Sequence, residues 1–186
     1  KEDEDKIAIG AMTPLNPIID HAGINEQYNI IAEAAREVGG LQTRNIGTLG
    51  GNLCTGLPSA DMALPLLVLD AKLKIAGLKS ESVIAVEDFF VAPRQLKMAE
   101  GDLLTEISID LPKAEGKHGT SFIKIGKRKA MRLCILSVGI SLFVNPADRK
   151  INQIKIAMGT VAPVPMRLTK VEEFMTGKVF SDQLVE

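Results

Sequence analysis

The 186-residue sequence is poor in side chains that form disulfides or bind metals. It contains two cysteines, Cys54 and Cys134, and two histidines, His21 and His118. Two cysteines are too few for a disulfide scaffold or for a zinc or iron–sulfur site built from cysteine alone. Two histidines argue against a histidine-built metal centre, so we expect no metal site on this chain. We expect Cys54 to be a small buried packing residue, because no neighbour in the sequence would lower its pKa.

The sequence also lacks a strong charge of one sign and a long apolar run. Twenty-two basic against 23 acidic residues leave a net charge of −1, so no global field attracts nucleic acid or an anionic membrane. No run approaches the roughly 18 apolar residues that cross a bilayer. The charged start at residues 1–6 has no apolar stretch behind it and does not resemble a secretory signal. With 46% hydrophobic and 24% charged residues, we expect a soluble, reduced, cytoplasmic protein.

Local patterns predict an α+β fold. Alternating apolar residues predict strands, most clearly at residues 103–111, where Ile107, Ile109 and Leu111 share one face. Helical spacing and stop signals predict helices, among them one from 26 to 38 that ends at Gly39-Gly40. Residues 41–58 carry few regular apolar positions, which predicts an irregular segment. The other predicted helices lie at about 13–22, 62–69 and 168–175, and the other strands at about 6–11, 72–75, 83–86, 121–126, 133–144 and 151–158.

A polar, turn-rich stretch from Pro112 to Gly119 separates two groups of predicted elements. Such a stretch is typical of a domain boundary. We therefore predict one domain at residues 1–112 and a second at residues 113–186.

The most informative segment is rich in glycine. It reads Thr43-Arg44-Asn45-Ile46-Gly47-Thr48-Leu49-Gly50-Gly51-Asn52. Closely spaced glycines let backbone N–H groups approach a ligand, and threonine and asparagine add neutral donors suited to phosphate oxygens. The pattern indicates either a phosphate or dinucleotide loop or a tight glycine turn. It lacks the Gly-Lys-Ser/Thr of a triphosphate loop and the Gly-x-Gly-x-x-Gly of the Rossmann fingerprint.

Together with Pro58 and Asp61, this segment resembles the second FAD-binding motif of the molybdenum hydroxylase flavoproteins. That family's pattern is Arg-Asn-x-Gly-Thr-x-Gly-Gly-Asn, followed by Ser-Pro-x-Ser-Asp and an apolar helix. The family comprises the FAD-binding subunits or domains of xanthine dehydrogenase, carbon monoxide dehydrogenase, nicotinate dehydrogenase and 4-hydroxybenzoyl-CoA reductase.

Three further stretches resemble this family in the same order. Residues 7–13 are similar to the strand that enters its second FAD subdomain, and residues 103–112 to the last strand there. Ser121-Phe122-Ile123-Lys124, followed by Lys127-Arg128-Lys129, resembles the start of its C-terminal domain. The resemblance implies the second subdomain of a PCMH-type FAD-binding domain, followed by a partial CO dehydrogenase flavoprotein C-terminal-like domain.

The resemblance also implies a cofactor site. The glycine loop would hold the FAD diphosphate by backbone donors, Asp61 would bond the cofactor, and Lys124 would lie beside the isoalloxazine ring. Alternatives remain open: Asp61 as a helix cap, Lys124 as a solvated surface residue, and Arg44 as a residue that pins the loop. The implied FAD-binding residues are Thr48, Leu49, Gly50, Gly51, Asn52, Thr55, Asp61, Glu106 and Lys124, with no catalytic residue and no metal ligand on this chain.

The implied function is that of a flavoprotein subunit of a molybdopterin-dependent oxidoreductase. FAD would relay electrons between iron–sulfur clusters on a partner and NAD or another acceptor. The implied partners are a molybdopterin-binding large subunit and a [2Fe-2S] small subunit.

Two departures from the family's pattern keep an alternative open. Leu57-Pro58-Ser59-Ala60-Asp61 lacks two hydroxyls of the family's pattern, and the Ala-Gly-Gly-Thr-Asp loop of the first FAD subdomain does not occur in these 186 residues. We therefore expect weak FAD binding or none by the chain alone, as a fragment or a remnant. The alternative is a cofactor-free scaffold or assembly module of the same fold. The remaining hypothesis is an unrelated nucleotide-binding domain.

Overall fold

A computed structural model describes residues 2–3, 6–111, 114–128 and 131–185 of the chain. The predicted boundary at 112 and 113, with Pro112, lies outside the described residues, as does Lys129. In chain order the strands are β1 (Glu2–Asp3), β2 (Lys6–Gly10), β3 (Lys72–Ala76), β4 (Glu81–Ala85), β5 (Phe90–Ala92), β6 (Gln95–Leu96), β7 (Leu103–Asp110), β8 (Lys117–Gly126), β9 (Cys134–Val144), β10 (Ile151–Gly159) and β11 (Met166–Arg167). The helices are α1 (Leu15–Asp20), α2 (Ala22–Gln27), α3 (Asn29–Arg36), α4 (Leu41–Ile46), α5 (Leu49–Cys54), α6 (Ala63–Val68), α7 (Thr169–Met175) and α8 (Asp182–Val185).

The first sheet is antiparallel, with strand order β1-β2-β7-β3-β4. Its central pair aligns Ile7 with Ile109 and Ile9 with Ile107, and all four side chains are buried. The alternation predicted for residues 107–111 is therefore confirmed. Each fully buried aliphatic side chain contributes about 1.5–3 kcal/mol to folding.

Helices share one hydrophobic core with this sheet. All residues of α6 are buried, and α3 buries five of its eight residues. The single helix predicted for residues 26–38 is wrong, because the chain breaks between α2 and α3 at Tyr28 (φ −138°). Tyr28 is fully buried, and burial of its ring overrides the local helical spacing.

The prediction of an irregular segment at residues 41–58 is also wrong, because α4 and α5 lie there. No residue of α4 is buried, so the helix lacks the apolar periodicity by which sequence patterns reveal helices. Its stability comes from non-local contacts of Arg44. The guanidinium of Arg44 donates to the carbonyls of Arg36 and Val38 at 3.1 Å each, and to Asn16 Oδ1 at 3.3 Å. Arg44 therefore pins the loop, one of the alternatives left open above.

The second sheet is antiparallel, in the order β11-β10-β9-β8. One face packs on α3 and α6 and contributes Phe122 and Ala157 to the main core. The other face forms a smaller core with α7, centred on Ile151, Ile154 and Ile156. Helices and antiparallel sheets segregated along the chain confirm the predicted α+β class. No helix in the described part of the chain is long and apolar enough to span a membrane.

Candidate functional site

The glycine-rich segment folds into the start of α5. Thr48 precedes the helix, and its Oγ1 accepts a hydrogen bond of 3.0 Å from the N–H of Gly51. The N–H of Asn52 donates to the Thr48 carbonyl at 3.0 Å. Thr48 is thus the helix N-cap, a position that favours threonine because its hydroxyl satisfies a free N–H.

The same segment is docked on the end of β2. The N–H of Leu49 donates to the Thr13 carbonyl at 3.0 Å, and the N–H of Gly50 donates to the Ala11 carbonyl at 2.8 Å. A Cβ on Gly50 would lie 2.6 Å from the Ala11 Cβ, so this position requires glycine for close approach. The backbone donors of residues 49–52 that were expected to hold a diphosphate therefore already have partners inside the chain.

A cleft, which we call the glycine cleft, opens beside α5. It has a volume of about 480 Å³. One wall is α5, and the other is formed by β6, the start of β7 and the loops beside them. Its lining residues are Ala11, Met12, Gly50, Gly51, Cys54, Arg94, Leu96, Met98, Asp102, Leu103 and Leu104.

Asp61 and Lys124 form a buried ion pair. Lys124 Nζ lies 2.6 Å from Asp61 Oδ2, and the two side chains are 4% and 7% exposed. Lys124 also donates to the Glu37 carbonyl at 3.1 Å. Asp61 Oδ1 is buried without a hydrogen-bond partner in the described structure.

Burial dominates the electrostatics of Asp61. It raises the pKa of the Asp61 carboxyl above its ordinary value, and the hydrogen bond and charge of Lys124 offset only part of the effect. A buried carboxylate oxygen without a donor is costly. This oxygen is therefore a buried acceptor whose hydrogen-bonding capacity is unmet in the described structure.

The pair belongs to a charge-complementary seam between the second sheet and the helices α3 and α6 that pack on it. Each acid of the seam lies within residues 33–70, in or next to these helices, and each donor lies within residues 122–167. Because all the acids are on the helix side and all the donors are on the other side, the seam favours one orientation of the second sheet on the helices. The contacts are Glu33 to the N–H of Phe122 (2.9 Å), Glu37 to Arg132 (2.6 Å), Asp61 to Lys124 (2.6 Å), and Asp70 to Lys155 and Arg167.

The residues predicted from the sequence do not form one cluster. Gly50 and Gly51 line the glycine cleft, whereas Asp61 and Lys124 are not among its lining residues. The remaining members lie on two elements, α5 with its caps and β7. Thr48, Leu49 and Asn52 are at the start of α5, Thr55 is exposed at its end, and Glu106 is half-buried on β7 between Gly10 and Lys74.

Asn52 connects the two groups of residues. Its Oδ1 accepts a hydrogen bond of 3.1 Å from the N–H of Met62, the residue after Asp61. Helix α5 is thus hydrogen-bonded through Asn52 to the residue next to Asp61, while Gly50 and Gly51 of the same helix line the glycine cleft.

Sequence reasoning missed Arg94 and misjudged Cys54. Cys54 is exposed and lines the glycine cleft, so the expectation of a buried packing residue is wrong. The reason is that Cys54 lies on the outer side of a six-residue helix, whose buried side is formed by Leu49, Gly50 and Leu53. No local signal marks Arg94, which reaches the cleft through a non-local contact with Gly56.

Two protein families match the chain. Residues 1–113 match the family described as the FAD binding domain in molybdopterin dehydrogenase. The chain belongs to that family. Residues 121–186 match the CO dehydrogenase flavoprotein C-terminal domain. The predicted resemblance is confirmed.

Curated relatives and solved structures agree with this membership. The chain is 29% identical over 180 residues to the glyceraldehyde dehydrogenase medium chain of Sulfolobus acidocaldarius, covering 97% of this chain and 62% of that protein. It is 27% identical to the xanthine dehydrogenase FAD-binding subunit of Escherichia coli O157:H7, covering 92% of this chain and 58% of that protein.

A solved structure of carbon monoxide dehydrogenase from Hydrogenophaga pseudoflava superposes with a TM-score of 0.92 at 26% identity. It covers all of this chain, which spans 63% of that one. The chain thus spans less than two thirds of the length of these relatives.

Proposed function

We propose that this chain is the FAD-binding part of a molybdopterin-dependent oxidoreductase. The observation that carries the proposal is the glycine cleft, in a chain whose first 113 residues match an FAD-binding family. The cleft fits a flavin in two respects. Leu96, Met98 and Leu103 give it an apolar wall suited to a flat ring, and Gly50 and Gly51 leave part of the opposite wall free of side chains.

We propose that two neutral donors, Thr48 and Asn52, and one buried acceptor, Asp61, contact FAD. Thr48 Oγ1 accepts from Gly51 and keeps its own proton to donate to a phosphate oxygen. Asn52 uses its Oδ1 within the chain, so its amide nitrogen is the group that can donate. Asp61 Oδ1 can accept from a cofactor hydroxyl or ring N–H, and Lys124 holds Asp61 in place. Leu49, Gly50, Gly51, Thr55 and Glu106 complete the proposed set.

FAD, when bound, supplies the capacity to take up electrons and pass them on. This chain's residues would bind and orient it, and none is proposed as a catalytic acid, base or nucleophile. The proposed partners are a molybdopterin-binding large subunit and a [2Fe-2S] small subunit. The relatives' names above specify no electron acceptor, so NAD stays a prediction from the resemblance. A cytoplasmic location is likewise proposed, supported by the two free thiols.

A second candidate is a cofactor-free scaffold of the same fold. Two observations favour it: the N–H groups of residues 49–52 are engaged within the chain, and Asp61 and Lys124 are paired with each other. Under this alternative, the whole role of the pair is to join the second sheet to the helices through the seam.

An FAD titration of the purified chain separates the two candidates. We expect a saturable change in the visible flavin absorbance, with weaker binding by Thr48→Val. The matched control is Thr176→Val, because Thr176 also uses its hydroxyl at a helix end but is the C-cap of α7, where it donates to the Glu172 carbonyl. Circular dichroism establishes that both variants are folded. No saturable change at millimolar FAD in the folded chain would contradict FAD binding by these residues alone and would favour the scaffold.

A further inference from the structure

Arg94 has an unusual backbone position on the wall of the glycine cleft. Its φ is +62°, a region that residues other than glycine rarely adopt. Its N–H donates to the Gly56 carbonyl at 2.7 Å. A Cβ on Gly56 would lie 2.8 Å from the Arg94 Cα. Two backbone segments in close contact thus hold Arg94 beside the end of α5. A positive φ at a residue other than glycine strains the backbone, and such strain is found where a side chain is positioned for function.

Among the described residues, none neutralises the charge of Arg94. Its side chain is exposed, and the guanidinium makes no ion pair or hydrogen bond with another described residue. The other charged residue that lines the cleft is Asp102. Asp102 is engaged in its own turn, where Oδ2 accepts from the N–H of Ala99 at 2.9 Å. Of the described residues that line the cleft, Arg94 is therefore the cation available to a ligand.

A diphosphate bound in the glycine cleft needs a cation such as Arg94, because the backbone N–H groups beside it are already engaged. The N–H groups of Leu49, Gly50 and Asn52 are bonded to carbonyls of the chain, and that of Gly51 to the Thr48 hydroxyl. Neutral donors alone would leave most of the charge of a diphosphate uncompensated, which is costly in a partly apolar cleft. A guanidinium carries the charge and presents two parallel N–H donors that match phosphate oxygens.

We propose that Arg94 is the anion-binding residue of the glycine cleft and pairs with the diphosphate of FAD. The inference rests on the proposed function and deepens it. Both the diphosphate and a reduced flavin ring offer anionic oxygens to a guanidinium. We assign the diphosphate because the oxidised isoalloxazine ring is neutral, whereas the diphosphate is charged in either redox state.

Side-chain NMR of the ¹⁵N-labelled full chain tests the proposal. We expect the Nε–Hε resonance of Arg94, assigned by its absence in Arg94→Lys, to shift saturably with inorganic pyrophosphate and with FAD. Arg149 is the matched control, because it is exposed, has a φ of +58° and makes no ion pair with a described residue. It lies in the turn between β9 and β10, outside the cleft lining. Equal shifts of both arginines, or none at Arg94, would overturn the proposal.

Variant affinities separate the two anionic groups. We expect Arg94→Gln to weaken FAD binding roughly tenfold or more, Arg94→Lys to weaken it less, and Arg149→Gln to leave it unchanged. Riboflavin, which lacks phosphate, should bind Arg94→Gln and the parent chain equally. An equal loss for riboflavin would contradict the assignment to the diphosphate.

The outcomes also separate this inference from the proposed function. If FAD shifts the amides of Gly50 and Gly51 while Arg94→Gln binds it unchanged, the inference fails and the function stands. If pyrophosphate shifts Arg94 but FAD does not bind, the anion site stands and the function fails.

Discussion

Removing one member of the Asp61–Lys124 pair should destabilise the fold strongly. In Lys124→Met the buried carboxylate loses its cation and both of its oxygens lack a donor, because Oδ1 has no partner in the described structure. The Glu37 carbonyl also loses the hydrogen bond from Lys124. Breaking a buried ion pair in this way costs about 3–5 kcal/mol.

The cost should fall when the charge of Asp61 is removed as well. We expect Asp61→Asn/Lys124→Met to be more stable than Lys124→Met, because no unpaired buried charge remains. If Lys124→Met does not fold, recovery of folding in the double variant tests the same reasoning. The free energies of unfolding are measured by urea denaturation followed by circular dichroism.

A pH series checks the sign of the effect. Burial raises the pKa of Asp61 in the folded chain, so the folded state binds this proton more tightly than the unfolded state. The contribution of Asp61 to stability therefore increases as pH falls from the raised pKa towards the ordinary value. Lys124→Met should strengthen this trend, since the cation that favours the carboxylate is gone.

An exposed pair provides the control. Lys72 and Asp110 lie 2.7 Å apart with side chains 51% and 55% exposed, and Lys72→Met should cost no more than about 1 kcal/mol. A loss below about 1 kcal/mol in Lys124→Met, equal to that of an exposed pair, would refute the reasoning.

Three other consequences of the structure are testable. Gly50→Ala should destabilise the chain by about 1–3 kcal/mol, because its Cβ would meet the Ala11 Cβ at 2.6 Å; unchanged urea denaturation would contradict the assigned close approach. Burial would raise the pKa of Glu172, but the hydrogen bond and charge of Arg167 hold it below its ordinary value. Stability should therefore be lost as pH falls through that lowered pKa, and Glu172→Gln should flatten this dependence in urea denaturation at neutral and acid pH. Cys54, exposed in the glycine cleft, should react with a disulfide reagent in the native chain and be protected by FAD, whereas an unchanged rate with FAD would exclude flavin from the cleft.

The longer strands and the helices α1, α6 and α7 could be predicted from the sequence, whereas α4 and α5 could not. At residues 107–111 one buried face and one polar face alternate, so local pattern and burial agree. In α4 no residue is buried, and Arg44 ties it to carbonyls outside the helix, those of Arg36 and Val38. In α5 the glycines hide the helix from sequence-based prediction, because glycine has a low helix propensity. Glycine is needed at position 50 for close packing on Ala11.

The candidate site was predictable where a motif is contiguous. The glycine segment and Asp61 are close in the sequence, and the family resemblance singled out Lys124 as well. The pairing of Asp61 with Lys124 was not visible, because the two residues are 63 positions apart. Arg94 was missed for the same reason, since only the contact with Gly56 brings it to the cleft.

The structure of the chain crystallised with FAD would test the central claim most directly. We expect the isoalloxazine ring to lie against Leu96, Met98 and Leu103, and the diphosphate to lie between Thr48 and Arg94. A flavin bound away from the glycine cleft, or crystals without flavin at saturating FAD, would contradict this expectation.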